Sequence, residues 1–310
     1  MEKTKEEKSP VGIKPAFLRT KTRLGPETNL LRSRLRRFQL NTVCEQAHCP
    51  NLGECFGKST SAFIILGRVC TRNCRFCAVE KGKPIAPDPQ EPIHLAEMAK
   101  ELGLKHIVIT SVSRDDLPDF GAEQFYQSVR AVKNLLPAST VEVLTPDFQG
   151  RLESVARVAE ARPEVYNHNL ETVPGLYPEV RPQADYQRSL SILKWVAENA
   201  KQITTKSGIM VGLGETRDEI IQVMQALREI GCQILTIGQY LAPSRKHWPV
   251  ARYYQPEEYE ELEQIGINLG FEAVSAGPLV RSSFCAEEIL NNITDYRRAT
   301  EVARTERNRG

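Results

Sequence analysis

SAFIILGRVCTRNCRFC, at residues 61–77, joins an apolar run to three closely spaced cysteines. The apolar run SAFIILG (61–67) predicts a buried strand. The cysteines follow at once as Cys70, Cys74 and Cys77, with three and then two residues between them. In α/β folds the chemistry lies at the carboxyl ends of the strands. The stretch therefore predicts a strand that carries a thiolate-bearing loop at its active end.

Beyond this stretch the chain alternates between short apolar strands and amphipathic helices. Short loops between such units force parallel strands with right-handed crossovers. A barrel of this kind fills 200–250 residues as one unit. We therefore expect an α/β fold, a partial (β/α)6 barrel over residues 61–270, with extensions at 1–60 and 271–310. The predicted strands are 61–67, 106–110, 141–145, 165–171, 203–214 and 233–241, and the predicted helices are 91–103, 121–136, 151–161, 185–200, 216–231 and 256–270.

The charge of the chain is small overall but unevenly distributed. The net charge is +2, which argues against a nucleic-acid partner. Residues 1–40 nevertheless carry 11 Lys/Arg against 4 Asp/Glu, so the N-terminal extension is basic. No run of eighteen apolar residues and no apolar leader occurs, so we expect no membrane partner and a cytoplasmic location. In that compartment clustered cysteines indicate metal or redox chemistry.

Six of the eight cysteines lie within residues 44–77, in two triplets. The first triplet is Cys44-x4-Cys49-x5-Cys55. Disulfides would need an oxidising compartment, and structural zinc sites would want four ligands each, so iron–sulfur ligation is the favoured interpretation. Three cysteines leave one iron of a cubane cluster open, and an open metal position can bind a small molecule. The isolated Cys232 is interpreted as a packed small hydrophobe.

The Cys70 to Cys77 loop, with Phe76 before its last cysteine, resembles the cluster loop of the radical S-adenosylmethionine (SAM) superfamily. The resemblance implies a 4Fe–4S cluster whose open iron binds SAM and cleaves it to a 5′-deoxyadenosyl radical. It also implies that Asn169 and Glu171 contact the SAM ribose, although a loop cap is an equal alternative. Arg181 is predicted to hold the SAM carboxylate, with a solvated arginine as the alternative. Lys206, a charge within a predicted strand, completes the predicted cofactor-binding residues.

The first triplet closely resembles the upstream motif of the lipoyl synthase family, and further motifs of that family follow. The resemblance implies a second, auxiliary 4Fe–4S cluster held by Cys44, Cys49, Cys55 and Ser283. It further implies radical insertion of two sulfur atoms into a protein-bound octanoyl chain. Cys70, Cys74, Cys77 and Ser283 are then the predicted catalytic residues. The matching stretches are SVSRDDLPD (111–119), NHNLETVPGLY (167–177), TKSGIMVGLGE (205–215), GQYLAPSRKHWPV (238–250) and RSSF (281–284).

The same resemblance implies partners. These are an octanoylated lipoyl carrier domain (an E2 subunit or the glycine cleavage H protein), a ferredoxin- or flavodoxin-type reductant, and iron–sulfur cluster assembly proteins. Phe284 and Cys285 depart from the family pattern, and Cys285 is a rival to Ser283 as ligand. We favour Ser283, because a hard oxygen ligand holds iron less firmly than a thiolate and suits an iron that must leave. Alternative functions are a methylthiotransferase-type enzyme, a divergent paralogue with a shifted substrate, and a cluster-carrying electron-transfer or iron-sensing protein.

Overall fold

The computed structural model describes residues 14–19, 25–47, 49–57, 62–284, 286–291 and 293. Within these residues the chain forms ten strands and ten α-helices, and residues 286–291 are also helical. The strands are β1 Asn41–Thr42, β2 Ala62–Ile65, β3 Val69–Cys70, β4 Glu80–Lys81, β5 His106–Ser111, β6 Thr140–Leu144, β7 Val165–Asn167, β8 Thr204–Val211, β9 Ile234–Gln239 and β10 Ala273–Gly277. The helices are α1 Pro26–Arg37, α2 Val43–Gln46, α3 Leu52–Gly57, α4 Glu91–Leu102, α5 Ala122–Leu135, α6 Leu152–Glu160, α7 Tyr177–Val180, α8 Tyr186–Asn199, α9 Arg217–Glu229 and α10 Pro256–Asn268.

Eight strands form one sheet in the order β1-β2-β5-β6-β7-β8-β9-β10. All neighbours from β2 to β10 are parallel, and β1 pairs antiparallel with β2. The predicted α/β fold is confirmed, and the open parallel sheet is consistent with a partial barrel. Strand β10 adds a parallel strand in a stretch interpreted from the sequence as an appendage. Its sequence AVSAG consists mostly of small residues and gives only a weak apolar signal.

The helices and strands enclose two large apolar clusters. In the first, Leu95 and Met98 of α4 meet Ile107 and Ile109 of β5 in a core that continues to Phe125 of α5. In the second, α9 and α10 pack on β8 and β9. All five side chains named here are fully buried, and truncating such a side chain to alanine typically costs about 2–5 kcal/mol. This packing fixes the strands, and with them the loops that follow their carboxyl ends.

Cys232 is fully buried at the start of β9, so its interpretation as a packed residue is confirmed. The fourth predicted strand is shorter than expected, because β7 ends at Asn167. Four residues later, Glu171 has a left-handed φ of 65° and makes a single bridge to Ile209. A left-handed residue ends regular extended backbone, and such conformations in non-glycine residues concentrate at functional sites.

The basic helix α1 is tied to the barrel by ion pairs. Arg32 contacts Glu45 at 2.8 Å, Arg34 contacts Glu101 at 2.9 Å, and Arg37 also pairs with Glu101. Much of the basic charge of this helix is therefore compensated within the molecule. In the described part of the chain, no helix is both long enough and apolar enough to cross a lipid bilayer.

The segment after β10 turns back against the cavity side of β8 and β9. A Cβ on Gly238 would lie 2.1 Å from the Val280 carbonyl oxygen, and one on Gly208 would lie 2.8 Å from Ser282 Oγ. Only glycine leaves room for such a close approach of another segment. The next residues, 286–291, are helical, and Ala286 packs against Ala62. The C-terminal segment can therefore pack closely against the sheet because Gly208 and Gly238 have no side chains.

Candidate functional site

A cavity of about 1070 Å³ opens at the carboxyl ends of the parallel strands. Both cysteine triplets contribute to its wall, and so does the segment after β10. This placement brings the predicted N-terminal, barrel and C-terminal site residues to one cavity. The predicted site residues in its lining are Cys44, Cys49, Cys70, Cys74, Cys77, Asn169, Glu171, Arg181 and Ser283.

The first triplet is held by short helical turns. Thr42 caps α2 by accepting a hydrogen bond from the backbone N–H of Glu45, which places Cys44 on the buried side of that helix. The Cys49 N–H then donates to the Cys44 carbonyl at 3.0 Å. Burial raises the pKa of the Cys44 thiol to about 12, and the neighbouring Cys49 and Cys55 raise it further.

The second triplet lies on a compact loop. Cys70 ends β3, whose pairing with β4 closes the loop behind it. The backbone N–H groups of Arg72 and Ser113 donate to the Cys70 sulfur at 3.4 and 3.3 Å. Burial raises the pKa of the Cys77 thiol to about 12, with Cys74 and Cys70 adding to the rise. Hydrogen bonds to a ligating sulfur and exclusion of water are what tune an iron–sulfur cluster.

Arg72, inside this loop, anchors it to the barrel. Its guanidinium is 4% exposed, donates to both Asp115 oxygens at 2.7 and 2.8 Å, and also pairs with the fully buried Asp147. On the other side, the Arg75 carbonyl accepts from the Trp248 N–H at 2.8 Å, and the Arg75 guanidinium lies 4.6 Å from the centre of the Trp248 ring. The cysteine loop is thus fixed from two sides.

The C-terminal segment docks onto the first triplet's loop. Asn51 donates from its side-chain amide to the Leu279 carbonyl at 2.8 Å. Arg281 and Cys49 both line the cavity, and burial lowers the pKa of the Arg281 guanidinium. Ser283 lines the cavity two residues further on. Its rival Cys285 lies outside the described residues.

Asn169, Glu171 and Arg181 form one hydrogen-bonded group on the cavity wall. Asn169 donates from Nδ2 to Glu171 Oε1 at 3.2 Å. Arg181 donates from Nη1 to the Leu170 carbonyl at 2.9 Å, and its buried Nε has no partner among the described residues. Burial raises the pKa of the Glu171 carboxyl, while Arg181 and the bond from Asn169 act in the opposite direction. The group brings a carboxylate and a guanidinium to the cavity wall, and these suit a ligand with hydroxyl and carboxylate groups.

The structure does not bring Lys206 to the cavity. Its ammonium lies 3.0 Å from both carboxylate oxygens of Glu142, and each side chain is 1% exposed. Asn167 donates to Glu142 at 2.9 Å, and His106 Nε2 lies 3.7 Å from it. Lys206 sits in the amino-terminal half of β8, whereas the cavity is lined by the residues that follow it, Gly208 to Met210. The predicted cofactor-binding role is therefore replaced by a buried ion pair.

His168, Arg72 and Ser282 line the cavity but did not figure among the predicted site residues. His168 donates a hydrogen bond from Nδ1 to the Thr145 carbonyl at 2.9 Å, and its buried Nε2 has no partner among the described residues. Burial lowers the pKa of His168 to about 4, so the ring is neutral and Nε2 is a hydrogen-bond acceptor. Position in the NHNLE and RSSF motifs could have indicated His168 and Ser282, whereas the acid partners of Arg72 are distant in sequence.

The donor set of the cavity fits iron–sulfur clusters. Each triplet offers thiols within one partly enclosed wall, and soft thiolates are the ligands that such clusters use. No three His, Cys, Asp or Glu side chains in the described ranges converge on the volume of a single metal ion.

Comparison with known proteins points to one family. The model of the radical SAM superfamily matches residues 64–227. A protein of Caldanaerobacter subterraneus subsp. tengcongensis named lipoyl synthase is 55% identical over 274 residues, covering 88% of this chain and 96% of that protein. A lipoyl synthase of Rubrobacter xylanophilus is 50% identical over 275 residues, covering 89% of this chain and 86% of that protein.

Solved structures support the fold alone. The structure of Streptococcus suis SuiB bound to S-adenosylmethionine matches with a TM-score of 0.54 at 14% identity, covering 76% of this chain and 55% of SuiB. This chain therefore spans just over half of that protein's length. Methylornithine synthase (PylB) matches with a TM-score of 0.51 at 14% identity, covering 80% of this chain and 81% of PylB.

Proposed function

This chain belongs to the lipoyl synthase family of the radical SAM superfamily, and from that premise we propose which residues hold its cofactors and its substrate. Its function is the insertion of two sulfur atoms into a protein-bound octanoyl chain, with SAM and two 4Fe–4S clusters as cofactors. Once bound, these groups supply the radical that removes hydrogen from the acyl chain and the sulfur that replaces it.

We assign the SAM-binding cluster to Cys70, Cys74 and Cys77. The observation that supports this assignment is the shared cavity, because it is lined by the cysteines of this loop, by the Asn169 to Arg181 group and by Cys44 and Cys49 of the first triplet. Arg72 and Trp248 keep the loop in place, and the backbone N–H groups at Cys70 hold the first sulfur. Three ligands leave one position for SAM.

We assign the auxiliary cluster to Cys44, Cys49, Cys55 and Ser283. The bond from Asn51 to Leu279 supports this assignment, because it holds the segment that bears Ser283 against the loop that bears the cysteines. Arg281 lines the same cavity as Cys44 and Cys49 and adds positive charge there. A serine oxygen is the weaker ligand, so it suits a cluster that must give up iron and sulfide.

We assign SAM itself to the wall formed by Asn169, Glu171 and Arg181. The Glu171 carboxylate can accept hydrogen bonds from ribose hydroxyls, and the Arg181 guanidinium supplies positive charge for the carboxylate of SAM. His168 Nε2 offers one further acceptor on the same wall. The left-handed backbone at Glu171 aims its side chain, and strain of this kind is retained where function requires it.

The acyl carrier meets this cavity at a basic rim. Lys14 and Arg19 line the cavity, and neither forms an ion pair with a carboxylate of the described residues. Lys14 and Arg19 share the cavity lining with Arg281, so three cationic side chains are grouped there. We propose that this rim attracts an acidic lipoyl carrier domain, an E2 subunit or the glycine cleavage H protein.

Further partners follow from the cofactor chemistry. Reductive cleavage of SAM needs a low-potential electron donor, for which we propose a ferredoxin or flavodoxin. Loading two clusters calls for iron–sulfur assembly proteins. A cytoplasmic location is proposed as well, because the cysteine thiols must stay reduced to bind iron.

The function is tested by turnover. The anaerobically reconstituted protein is incubated with SAM, dithionite and an octanoyl-lysine peptide from a lipoyl domain. Mass spectrometry should detect a peptide that has gained two sulfur atoms, together with 5′-deoxyadenosine. Formation of 5′-deoxyadenosine without a sulfur-containing peptide would contradict the proposed substrate, and no 5′-deoxyadenosine would contradict the radical SAM assignment.

A further inference from the structure

Ser282 forms a hydrogen bond that joins the C-terminal segment to the proposed SAM site. Its hydroxyl lies 3.0 Å from Asn169 Oδ1, across 113 positions of sequence. Asn169 in turn donates from Nδ2 to the Glu171 carboxylate. A carboxylate only accepts hydrogen bonds, so the amide nitrogen must face Glu171 and the amide oxygen must face Ser282, whose hydroxyl then donates. The hydrogen bonds therefore run in one direction, from Ser282 to Asn169 and from Asn169 to Glu171, so Ser282 orients Asn169 and Asn169 orients Glu171.

The surroundings leave Ser282 little freedom. A Cβ on Gly208 would lie 2.7 Å from Thr236 Oγ1 and 2.8 Å from both Asn169 Oδ1 and Ser282 Oγ. These three polar atoms therefore occupy the space that a side chain at Gly208 would need. The backbone around Ser282 is also closed into a turn, because the Phe284 N–H donates to the Arg281 carbonyl at 2.9 Å. Packing from the sheet and the closed turn hold the hydroxyl against Asn169.

We propose that Ser282 is a positioning residue of the SAM site: it fixes the Asn169 amide so that Asn169 holds the Glu171 carboxylate in the orientation that SAM binding requires. The inference rests on the proposed assignment of Asn169 and Glu171 to SAM. It gives the two serines of the turn different tasks, with Ser282 serving the SAM site and Ser283 the auxiliary cluster. The C-terminal segment is then part of both sites.

The test is a double-mutant cycle on SAM affinity. Ser282→Ala, Asn169→Ala and the double variant are reconstituted with both clusters, and SAM binding is measured by equilibrium dialysis without reductant, so that no cleavage occurs. One hydrogen bond to a neutral partner is worth about 3–10-fold in affinity. Ser282→Ala should therefore weaken SAM binding by about 3–10-fold. In the Asn169→Ala background the same change should have no further effect, because its target is gone.

Ser191→Ala, at an exposed serine of α8, is the matched control and should bind SAM as the wild type does. Iron content and melting temperature show whether each variant is folded and loaded. Equal losses from Ser282→Ala in both backgrounds would indicate general damage and overturn the inference. Unchanged affinity in Ser282→Ala, with weakened affinity in Asn169→Ala, would overturn it while leaving the proposed function intact. Unchanged affinity in Asn169→Ala would overturn both the SAM assignment and the inference.

Discussion

Lys206→Met separates a structural from a cofactor-binding role for the buried lysine. The change removes the cation that lies 3.0 Å from both oxygens of Glu142 and leaves that carboxylate 1% exposed, with Asn167 and His106 as its neighbours. Removing one partner of a buried pair typically costs about 3–5 kcal/mol, because the other charge stays buried without compensation. For a chain of this size that corresponds to a fall in Tm of roughly 5–8 °C.

The loss of stability caused by Lys206→Met should depend on pH in a defined direction. Burial alone would raise the pKa of Glu142, but Lys206 and His106 hold it below its ordinary value. In the wild type the stabilisation from this carboxylate is therefore present above its unfolded pKa of about 4.3 and is lost as pH falls through the lower folded pKa. Without Lys206 burial dominates, the folded pKa rises above the unfolded one, and the variant recovers stability as pH falls. The difference in Tm between wild type and variant should be larger at pH 8 than at pH 5.5.

The assay is thermal unfolding of the reconstituted proteins, followed by circular dichroism, with SAM affinity measured by equilibrium dialysis below the transition. Lys194→Met is the control, because its pair with Glu198 is more than half exposed and is worth at most about 1 kcal/mol. We expect SAM affinity within twofold of the wild type in both variants. A Lys206→Met protein with unchanged Tm and weakened SAM binding would refute the structural interpretation and restore the cofactor-binding one.

Two further predictions concern the auxiliary site and the basic rim. The Ser283→Ala variant should assemble a cluster but form no lipoyl product, whereas the Cys285→Ala variant should stay active. The opposite pattern of lipoyl products would assign the fourth ligand to Cys285. Exchanging Lys14 and Arg19 for Gln should weaken binding of an octanoylated carrier domain mainly at low ionic strength. At physiological salt the Debye length is about 8 Å, so more distant charges are largely screened. If calorimetry finds that affinity depends on neither the exchange nor the salt concentration, the proposed role of the rim is contradicted.

The α/β fold and the loop that carries Cys70, Cys74 and Cys77 were predictable because their signals are local. The apolar strand at 62–65 and the spacing of Cys70, Cys74 and Cys77 can both be read within one short stretch of sequence. The alternation of strands and helices likewise repeats along the chain. Lys206 was misassigned because its partner Glu142 lies on another strand, and only the register of the sheet brings the two together. The role inferred for Ser282 was also beyond the sequence, since it depends on a glycine gap at Gly208 that a motif does not reveal.

The division of labour between the two cysteine triplets tests the account most directly. Cys49→Ala and Cys74→Ala are reconstituted with iron and sulfide and given SAM, dithionite and octanoyl peptide, and both products are quantified by mass spectrometry. If the second triplet holds the SAM-binding cluster, as we propose, Cys74→Ala should form neither 5′-deoxyadenosine nor lipoyl peptide. Cys49→Ala should still form 5′-deoxyadenosine but no lipoyl peptide. Lipoyl peptide from the Cys49 variant would show that sulfur comes from elsewhere and would contradict the account.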